Sequence, residues 1–266
     1  GIPIILTLRQ GLAANAIGEI FGILNGTSNY ILTKMSATGE TFQAALQEAQ
    51  LQGIAEADPT LDVEGIDAAH KLALLMALAY GAQIDFPAIH VEGISRLEPI
   101  DIQFAKEFGY QIKLLAITRD DGQSVEARVH PTMIPLDHIM ASVMGANNAV
   151  YITGDAAGPI LLYGLGAGMM PSASAVAADL IDLAYNISHG LRGRVPPLGV
   201  NDAQQNRRRV KPLDDIVTNY YLRFAAQDRP GVLSKISGIL AQYDISIAAV
   251  IQKGRQSRGA VPVVMI

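Results

Sequence analysis

An almost uninterrupted apolar stretch, Ile66–Tyr80, is the feature that most restricts how this chain can fold. Its only strongly polar residues are Asp67, His70 and Lys71, so a helix formed here must bury most of its surface. Asp67 and Lys71 are one helical turn apart and therefore lie on the same face. The pattern predicts a buried helix that ends at Gly81 and presents an acid–lysine pair to a cleft or to a partner domain.

The residues before this stretch predict further helices, and those after it predict strands. A short extended start and a turn at Asn25–Asn29 precede a helix through Tyr30 and Met35, and helical spacing recurs over Thr41–Gln52. Beyond it, short β-like runs are separated by polar turns, as in an antiparallel meander. These runs are Lys113–Thr118, Val125–Val129, Val150–Thr153 and Ile160–Leu162. Helices packed on a mostly antiparallel sheet form an α+β domain, predicted here over residues 1–188.

The C-terminal part predicts a separate small unit. Residues 189–219 contain Pro196-Pro197 and the polar run Gln204–Arg209 without apolar periodicity, which is typical of a linker. Residues 220–266 predict a strand, an amphipathic helix at Val232–Gln242 and two more strands, the last still extended at Ile266. The open sheet edge predicts a module that is truncated or completed by another chain.

Composition excludes several classes of function. The chain has no cysteine, which rules out disulfides and thiolate metal sites and suits the cytoplasm. A formal net charge of −5 gives no attraction for nucleic acid or for an anionic membrane. The apolar run Leu72–Ala82 is far shorter than the roughly 20 residues that a bilayer requires. The start, Gly1-Ile2-Pro3, has no leader or initiator methionine, which predicts a chain cut in the middle with a preceding domain missing.

Three segments could hold a small ligand, and each also has a purely structural explanation. Asp67 and Lys71, with Glu56 and Asp62 upstream, could form a site or only a surface ion pair worth about 0.3–0.5 kcal/mol. The turn Asn25–Asn29 could bind a carboxylate or phosphate, or could only cap a helix.

The glycine turn Gly164–Gly168 precedes a helix predicted over Ser172–Ile187. It is similar to a dinucleotide-binding fingerprint, but Met169 stands where the third glycine belongs. It is therefore rejected as a primary Rossmann motif, although such a turn can still approach an anionic ligand or a cofactor closely. A tight turn between sheet and helix is an equally good explanation.

The ordered motifs together resemble the homoserine dehydrogenase family over roughly residues 1–187. The stretches that carry the resemblance are Gly22–Leu32, Gly53–Lys71, His130–Pro135, Gly166–Gly168 and Ser172–Val176. Enzymes of this family reduce L-aspartate 4-semialdehyde to L-homoserine with a nicotinamide cofactor, on the route to threonine, methionine and isoleucine. Downstream, Asp228–Leu233 resembles an ACT domain, a ferredoxin-like module that often binds amino acids at subunit interfaces.

The resemblance implies roles for particular residues. Lys71 matches the proton donor, and Asp67 would orient its ammonium and share the substrate hydroxyl. Glu56 and Asp62 match carboxylates that recognise the amino end of the substrate. Gly26 and Thr27 would lie where substrate and cofactor meet, and Gly166 and Gly168 would lie against the nicotinamide. The carbonyl of Ile2 would be the remnant of a loop that binds a monovalent cation, Na⁺ or K⁺.

The resemblance also implies an NAD(P) cofactor, a homodimer or homotetramer, and a possible amino-acid effector at a partial ACT module. The family's N-terminal Rossmann domain has no counterpart in this sequence, so the chain alone is expected to be inactive or nearly so. Two other functions stay open: a non-catalytic regulatory and dimerisation module that binds amino acids, and another NAD(P)-dependent enzyme of amino-acid metabolism.

Overall fold

The computed structural model describes residues 1–193, 195–196, 206–253 and 260–266, with backbone alone at 206 and 207. The α-helices, α1 to α8 in chain order, are Ile4–Leu6, Gly26–Thr38, Phe42–Leu51, Thr60–Val63, Ile66–Tyr80, Pro99–Glu107, Met169–Ser188 and Val232–Gln242. The strands, β1 to β12, are Ile17–Ile23, Ala82–Gln83, His90–Val91, Tyr110–Asp120, Ser124–Pro135, Asn147–Gly154, Gly158–Leu165, Asn206–Arg207, Arg209–Val210, Leu222–Gln227, Val250–Gln252 and Ala260–Met265. Pro197, Gly199 and Gln204–Gln205 of the predicted linker lie outside the described residues.

The main sheet confirms the predicted α+β class. Its strand order is β3-β5-β4-β1-β6-β7, and β9 also pairs with β5. The pairs among the five long strands are all antiparallel, while the short β3 and β9 run parallel to β5. The four predicted β-like runs all fall inside β4 to β7.

Strand β1, which lies between β4 and β6, was not predicted, and the prediction of an extended start was wrong. Ile4–Leu6 is helical and continues into a π-helical turn, Thr7–Gly11. The reason is the four-residue spacing that places Leu8 and Leu12, each 6% exposed, together in the core. In β1 the glycines at positions 18 and 22 interrupt the alternation that identifies a strand.

The helix predicted over Ile66–Tyr80 is confirmed as α5, residue for residue. Leu72, Leu75 and Met76 are buried in the core. Gly81 ends the helix in the left-handed conformation, at φ 57°. The helix after the glycine turn begins at Met169 rather than near Ser172, directly after the turn closes. No helix in the described part of the chain has the length and apolar character needed to cross a bilayer.

The C-terminal residues form a small three-stranded sheet of order β10-β12-β11, with α8 packed on it. A buried carboxylate connects this unit to α6, since Asp101 accepts hydrogen bonds from the Tyr221 hydroxyl at 2.8 Å and from Arg223 Nε at 2.7 Å. Within the predicted linker, Val210 is buried in the large hydrophobic core between the main sheet and its helices, and β9 pairs with β5. The exact domain boundaries stay a prediction.

Candidate active site

The position of the acid–lysine pair is set by a glycine at the start of α5. Gly65 precedes the helix with φ 79°, a left-handed conformation that other residues adopt only with strain. A Cβ atom there would also lie 3.3 Å from side-chain carbons of Val91 and Val129. The chain can therefore turn tightly against the sheet and begin α5 where Asp67 and Lys71 face the start of α2.

Asp67 and Lys71 form more than an ordinary helical pair. Lys71 Nζ lies 2.6 Å from Asp67 Oδ2 and also donates to the carbonyl oxygen of Leu24, at 3.0 Å. Their side chains are 48% and 30% exposed, so the pair lies at an accessible surface and not in the core. The contact with Leu24, from a distant part of the sequence, places the ammonium between two elements, which a surface pair on a single helix would not do.

Asn25 joins the acidic groups and is the residue that sequence reasoning missed. Its side chain caps α2 by accepting a hydrogen bond from the Ser28 N–H at 2.8 Å. The other end of the same amide donates to Asp62 Oδ1 at 2.6 Å and to Asp67 Oδ2 at 2.9 Å. The capping role that was one of the two alternatives for the turn Asn25–Asn29 is therefore confirmed, and its binding role stays a prediction. Its asparagine also holds two carboxylates beside a lysine, and only the spatial proximity of α2, α4 and α5 reveals this.

Thr27, Ser28 and Glu56 occupy the edges of this cluster. Ser28 Oγ donates to the Asp62 carbonyl at 2.8 Å, and Thr27 Oγ1 donates to the Ile54 carbonyl at 3.1 Å. Glu56, two residues beyond Ile54, is exposed, and its carboxylate has no hydrogen bond or ion pair with any described residue. The structure thus brings together Asp62, Asp67 and Lys71, and leaves Glu56 at the rim without a direct contact.

Two of the predicted glycines pack closely around one asparagine. A Cβ atom on Gly26 would lie 2.7 Å from the Ala146 carbonyl oxygen and 3.5 Å from Asn148 Oδ1. A Cβ atom on Gly166 would lie 2.6 Å from the same Oδ1. Gly168, with φ 123°, opens α7 beyond them. At Gly26 and Gly166 the close approach is made by other parts of this chain, and these glycines form a tightly packed wall of backbone beside the start of α2.

A buried lysine holds the loop behind this wall. Lys113 is 0% exposed, and its ammonium donates to Asn29 Oδ1 at 3.0 Å and to the Val143 carbonyl. Asn29 in turn donates to the carbonyls of Val143, Gly145 and Asn147, at 3.1, 2.9 and 3.0 Å. Residues 143–147 are thereby fixed to α2 and β4, and the position of the Ala146 carbonyl against α2 is determined by this network.

Stability is expected to rise with pH because of Lys113. Burial lowers its pKa to about 8, against an ordinary value of 10.5. Between these values the unfolded chain keeps a proton that the folded protein has released, so the free energy of unfolding should increase over this interval. Urea unfolding of the wild-type protein and of Lys113→Met, each at pH 7.5 and at pH 10, isolates the contribution of Lys113 to the pH dependence of the free energy of unfolding. An equal pH slope in both proteins would contradict the prediction.

The described residues give little support to a cation at Ile2. Its carbonyl oxygen accepts the N–H of Ile4 at 2.8 Å, and one carbonyl is far fewer than the oxygen ligands that a hard cation needs. No group of three or more His, Cys, Asp or Glu side chains within the described part of the chain could hold a metal ion. The backbone nitrogen of Gly1, the residue before Ile2, lies 2.8 Å from the Gly166 carbonyl oxygen, so this segment lies beside the glycine wall.

Both the sequence and the fold of this chain match known proteins. The family model for homoserine dehydrogenase matches residues 3–181, and the model for the ACT domain matches residues 220–266. The homoserine dehydrogenase of Neisseria gonorrhoeae is 49% identical over 254 residues, which cover 96% of this chain and 58% of the relative. The chain therefore spans little more than half the length of such a relative.

Solved structures agree with these matches. The crystal structure of a homoserine dehydrogenase from Thiobacillus denitrificans has a TM-score of 0.91 and 48% identity, over 99% of this chain and 60% of that one. A hyperthermophilic archaeal homoserine dehydrogenase in complex with NADPH has a TM-score of 0.59 and 30% identity, over 70% of this chain and 53% of that one.

Proposed function

This chain belongs to the homoserine dehydrogenase family, and on that premise we propose that it carries the substrate site and the proton donor for the interconversion of L-homoserine and L-aspartate 4-semialdehyde. The observation that carries the proposal is the ammonium of Lys71, held between Asp67 Oδ2 and the Leu24 carbonyl at 2.6 and 3.0 Å. An ammonium fixed by two acceptors at an accessible surface is suited to proton transfer at one defined point.

Lys71 acts as the general acid in the reductive direction. An ammonium has three N–H donors, and the contacts with Asp67 and Leu24 use two of them. The third is available to a substrate oxygen, which gains negative charge as the aldehyde carbon is reduced. Lys71 donates its proton to that oxygen, and in the oxidative direction the neutral amine takes the proton back. Asp67 fixes the orientation of the ammonium through the 2.6 Å hydrogen bond.

The carboxylates select the substrate. Asp62 is held by the Asn25 amide through Oδ1, and its second oxygen is available to the α-ammonium of the substrate. Glu56 lies exposed at the rim of the cluster and provides a second charge-assisted contact when substrate is present. Gly26 and Thr27 form the side of the site that faces the cofactor.

We assign the glycine wall to the nicotinamide side of the site. The Cβ positions of Gly26 and Gly166 are taken up by the Ala146 carbonyl and the Asn148 amide, so glycine at both positions lets this chain pack closely beside α2. Gly166 and Gly168 would hold that group from one side. When bound, NAD(P) supplies the hydride, and the residues of this chain supply position, charge and one proton. Ile2 as a ligand of a monovalent cation remains a proposal without further support.

We also propose a cytoplasmic homo-oligomer, either a dimer or a tetramer, whose C-terminal module binds an amino-acid effector. The ACT match and the small three-stranded sheet support the module, and the contacts of Asp101 with Tyr221 and Arg223 would connect it to α6. A non-catalytic role for the whole chain is the second candidate, and the assay below separates the two.

The direct test is homoserine-dependent reduction of NAD⁺ and NADP⁺ by the full-length protein. We expect activity with L-homoserine and none with O-methyl-L-homoserine, which has no hydroxyl proton to give to Lys71. A folded protein that reduces neither cofactor would overturn the dehydrogenase function. In that case, binding of an amino acid by the same protein, measured by calorimetry, would favour the regulatory module.

Glu56→Gln is expected to raise the KM for homoserine by about tenfold or more, with a smaller effect on kcat. The substitution removes the negative charge that contacts the substrate ammonium, and a hydrogen bond to a charged group contributes about 1.5–3 kcal/mol. Steady-state kinetics with saturating cofactor measures the effect. Glu40→Gln, in the turn after α2 and away from the acidic cluster, is the matched control. A KM that stays the same in both variants would remove Glu56 from the substrate site.

A further inference from the structure

A buried amide between the two glycines of the wall has no role in the function proposed above. Asn148 is 8% exposed and lies in β6, opposite Gly164 of β7. Its Oδ1 atom lies 2.6 Å from the Cβ position of Gly166 and 3.5 Å from that of Gly26. The amide group therefore occupies the point where the start of α2 meets the glycine turn before α7.

The Asn148 side chain makes no hydrogen bond with any residue in the described part of the chain. Its amide atoms are not among the fully enclosed side-chain atoms without a partner in the described part of the chain, so they can still be reached from outside. The neighbouring amides differ: Asn147 Nδ2 donates to the Met144 carbonyl at 2.9 Å, and Asn29 Nδ2 contacts three carbonyls. An accessible amide without a protein partner, beside amides that have one, is available to a ligand.

The position of this amide is fixed before any ligand binds. Lys113 and Asn29 hold residues 143–147, directly before Asn148. The antiparallel pairing of β6 with β7 fixes the backbone from the other side. A hydrogen-bonding group held in this way loses little conformational entropy when it binds, so its contribution to affinity is retained.

We propose that Asn148 is a cofactor-binding residue whose amide hydrogen-bonds the carboxamide of the nicotinamide ring; this assignment rests on the proposed dehydrogenase function. A carboxamide offers one acceptor and an N–H₂ donor group, which complement the donors and the acceptor of an asparagine amide. The substrate, by contrast, presents an ammonium and a carboxylate, for which the charged cluster around Asp62 and Lys71 is better suited. The closer approach of Oδ1 to Gly166 than to Gly26 also places the amide on the cofactor side.

The carboxamide contact would determine which face of the ring the substrate meets. A nicotinamide held only by stacking can rotate about its glycosidic bond, whereas a hydrogen-bonded carboxamide keeps one orientation. Asn148 would thus position the ring relative to the substrate held near Gly26 and Lys71. Its loss should weaken cofactor binding and reduce turnover, without a comparable change in the KM for homoserine.

The test measures cofactor affinity directly, by titration of the full-length protein with NADPH and NADH while nicotinamide fluorescence is followed. We expect Asn148→Ala to raise the Kd of the preferred cofactor by about threefold to tenfold, the effect of one neutral hydrogen bond. The 3-acetylpyridine analogue of the cofactor keeps the carbonyl but has no N–H₂ group. The wild-type protein should bind the oxidised analogue more weakly than the oxidised cofactor, as measured by calorimetry, and Asn148→Ala should show a much smaller difference.

Asn147→Ala, one residue earlier, is the matched control because its side-chain amide is already hydrogen-bonded to the Met144 carbonyl, and thermal unfolding verifies that each variant is folded. Equal discrimination between cofactor and analogue in the wild type and in Asn148→Ala would overturn the assignment, as would a wild-type protein that binds no nicotinamide cofactor. If Asn148-dependent cofactor binding were found without homoserine-dependent activity, the proposed function would fail while this assignment would hold.

Discussion

Replacing Lys71 with alanine is expected to lower kcat for homoserine oxidation by about 10²–10⁴-fold, with a much smaller change in the KM for homoserine. The lysine acts on charge that develops at the substrate oxygen in the transition state, so its removal should affect turnover more than ground-state binding. Lys71→Arg should lose a comparable amount, because a guanidinium keeps its charge but does not readily give up a proton. Steady-state kinetics in both directions, with saturating cofactor, measures these effects.

The control for Lys71 is a lysine in a similar ion pair away from the site. Lys34 pairs with Glu48 at 2.8 Å, and its side chain is 28% exposed. Lys34→Ala should leave kcat nearly unchanged, since a solvent-screened ion pair contributes little to stability and this one does not involve the cluster around Asp67. Near-normal turnover in Lys71→Ala would exclude Lys71 as the proton donor, and Asp67 would then be the first group to test in that role.

Gly26→Ala is expected to reduce kcat/KM by at least about 10²-fold and to destabilise the protein by about 1–3 kcal/mol. The added Cβ would lie 2.7 Å from the Ala146 carbonyl oxygen, which is a backbone atom and not the end of a flexible side chain. Residues 143–147 cannot easily move away from the added Cβ because hydrogen bonds from Asn29 and Lys113 hold them. The start of α2 must therefore move, and it carries Asn25, which holds Asp62 and Asp67.

Gly18→Ala is the matched control for Gly26→Ala. At Gly18, in β1, an added Cβ would meet nothing nearer than the Thr153 carbonyl oxygen at 3.8 Å, which is ordinary contact. Its effect on kcat/KM should be small. Thermal unfolding, measured beside kinetics, separates loss of fold from displacement of the site. Normal activity and stability in Gly26→Ala would show that the contact with Ala146 does not determine the position of α2.

Local sequence patterns were sufficient for some elements because neighbouring residues alone determine them. The apolar stretch Ile66–Tyr80 and the glycine at its end specify α5 without reference to the rest of the chain. The same holds for the amphipathic α8, predicted and found at Val232–Gln242. Strand β1 was missed because its glycines weaken the local signal, and its pairing partners in β4 and β6 lie about a hundred residues or more away in sequence.

By itself, the sequence determined the fold class, the extent of α5 and the spacing that places Asp67 and Lys71 on one helical face, since each depends on short-range periodicity. Only the tertiary structure decided what surrounds that pair. The Leu24 carbonyl, the Asn25 amide and the Asp62 carboxylate meet it because α2, α4 and α5 converge beside the sheet. The position of the Asn148 amide between two glycines is likewise a property of that convergence. Hydrogen bonds between distant segments depend on packing, and residue spacing along one element carries no information about them.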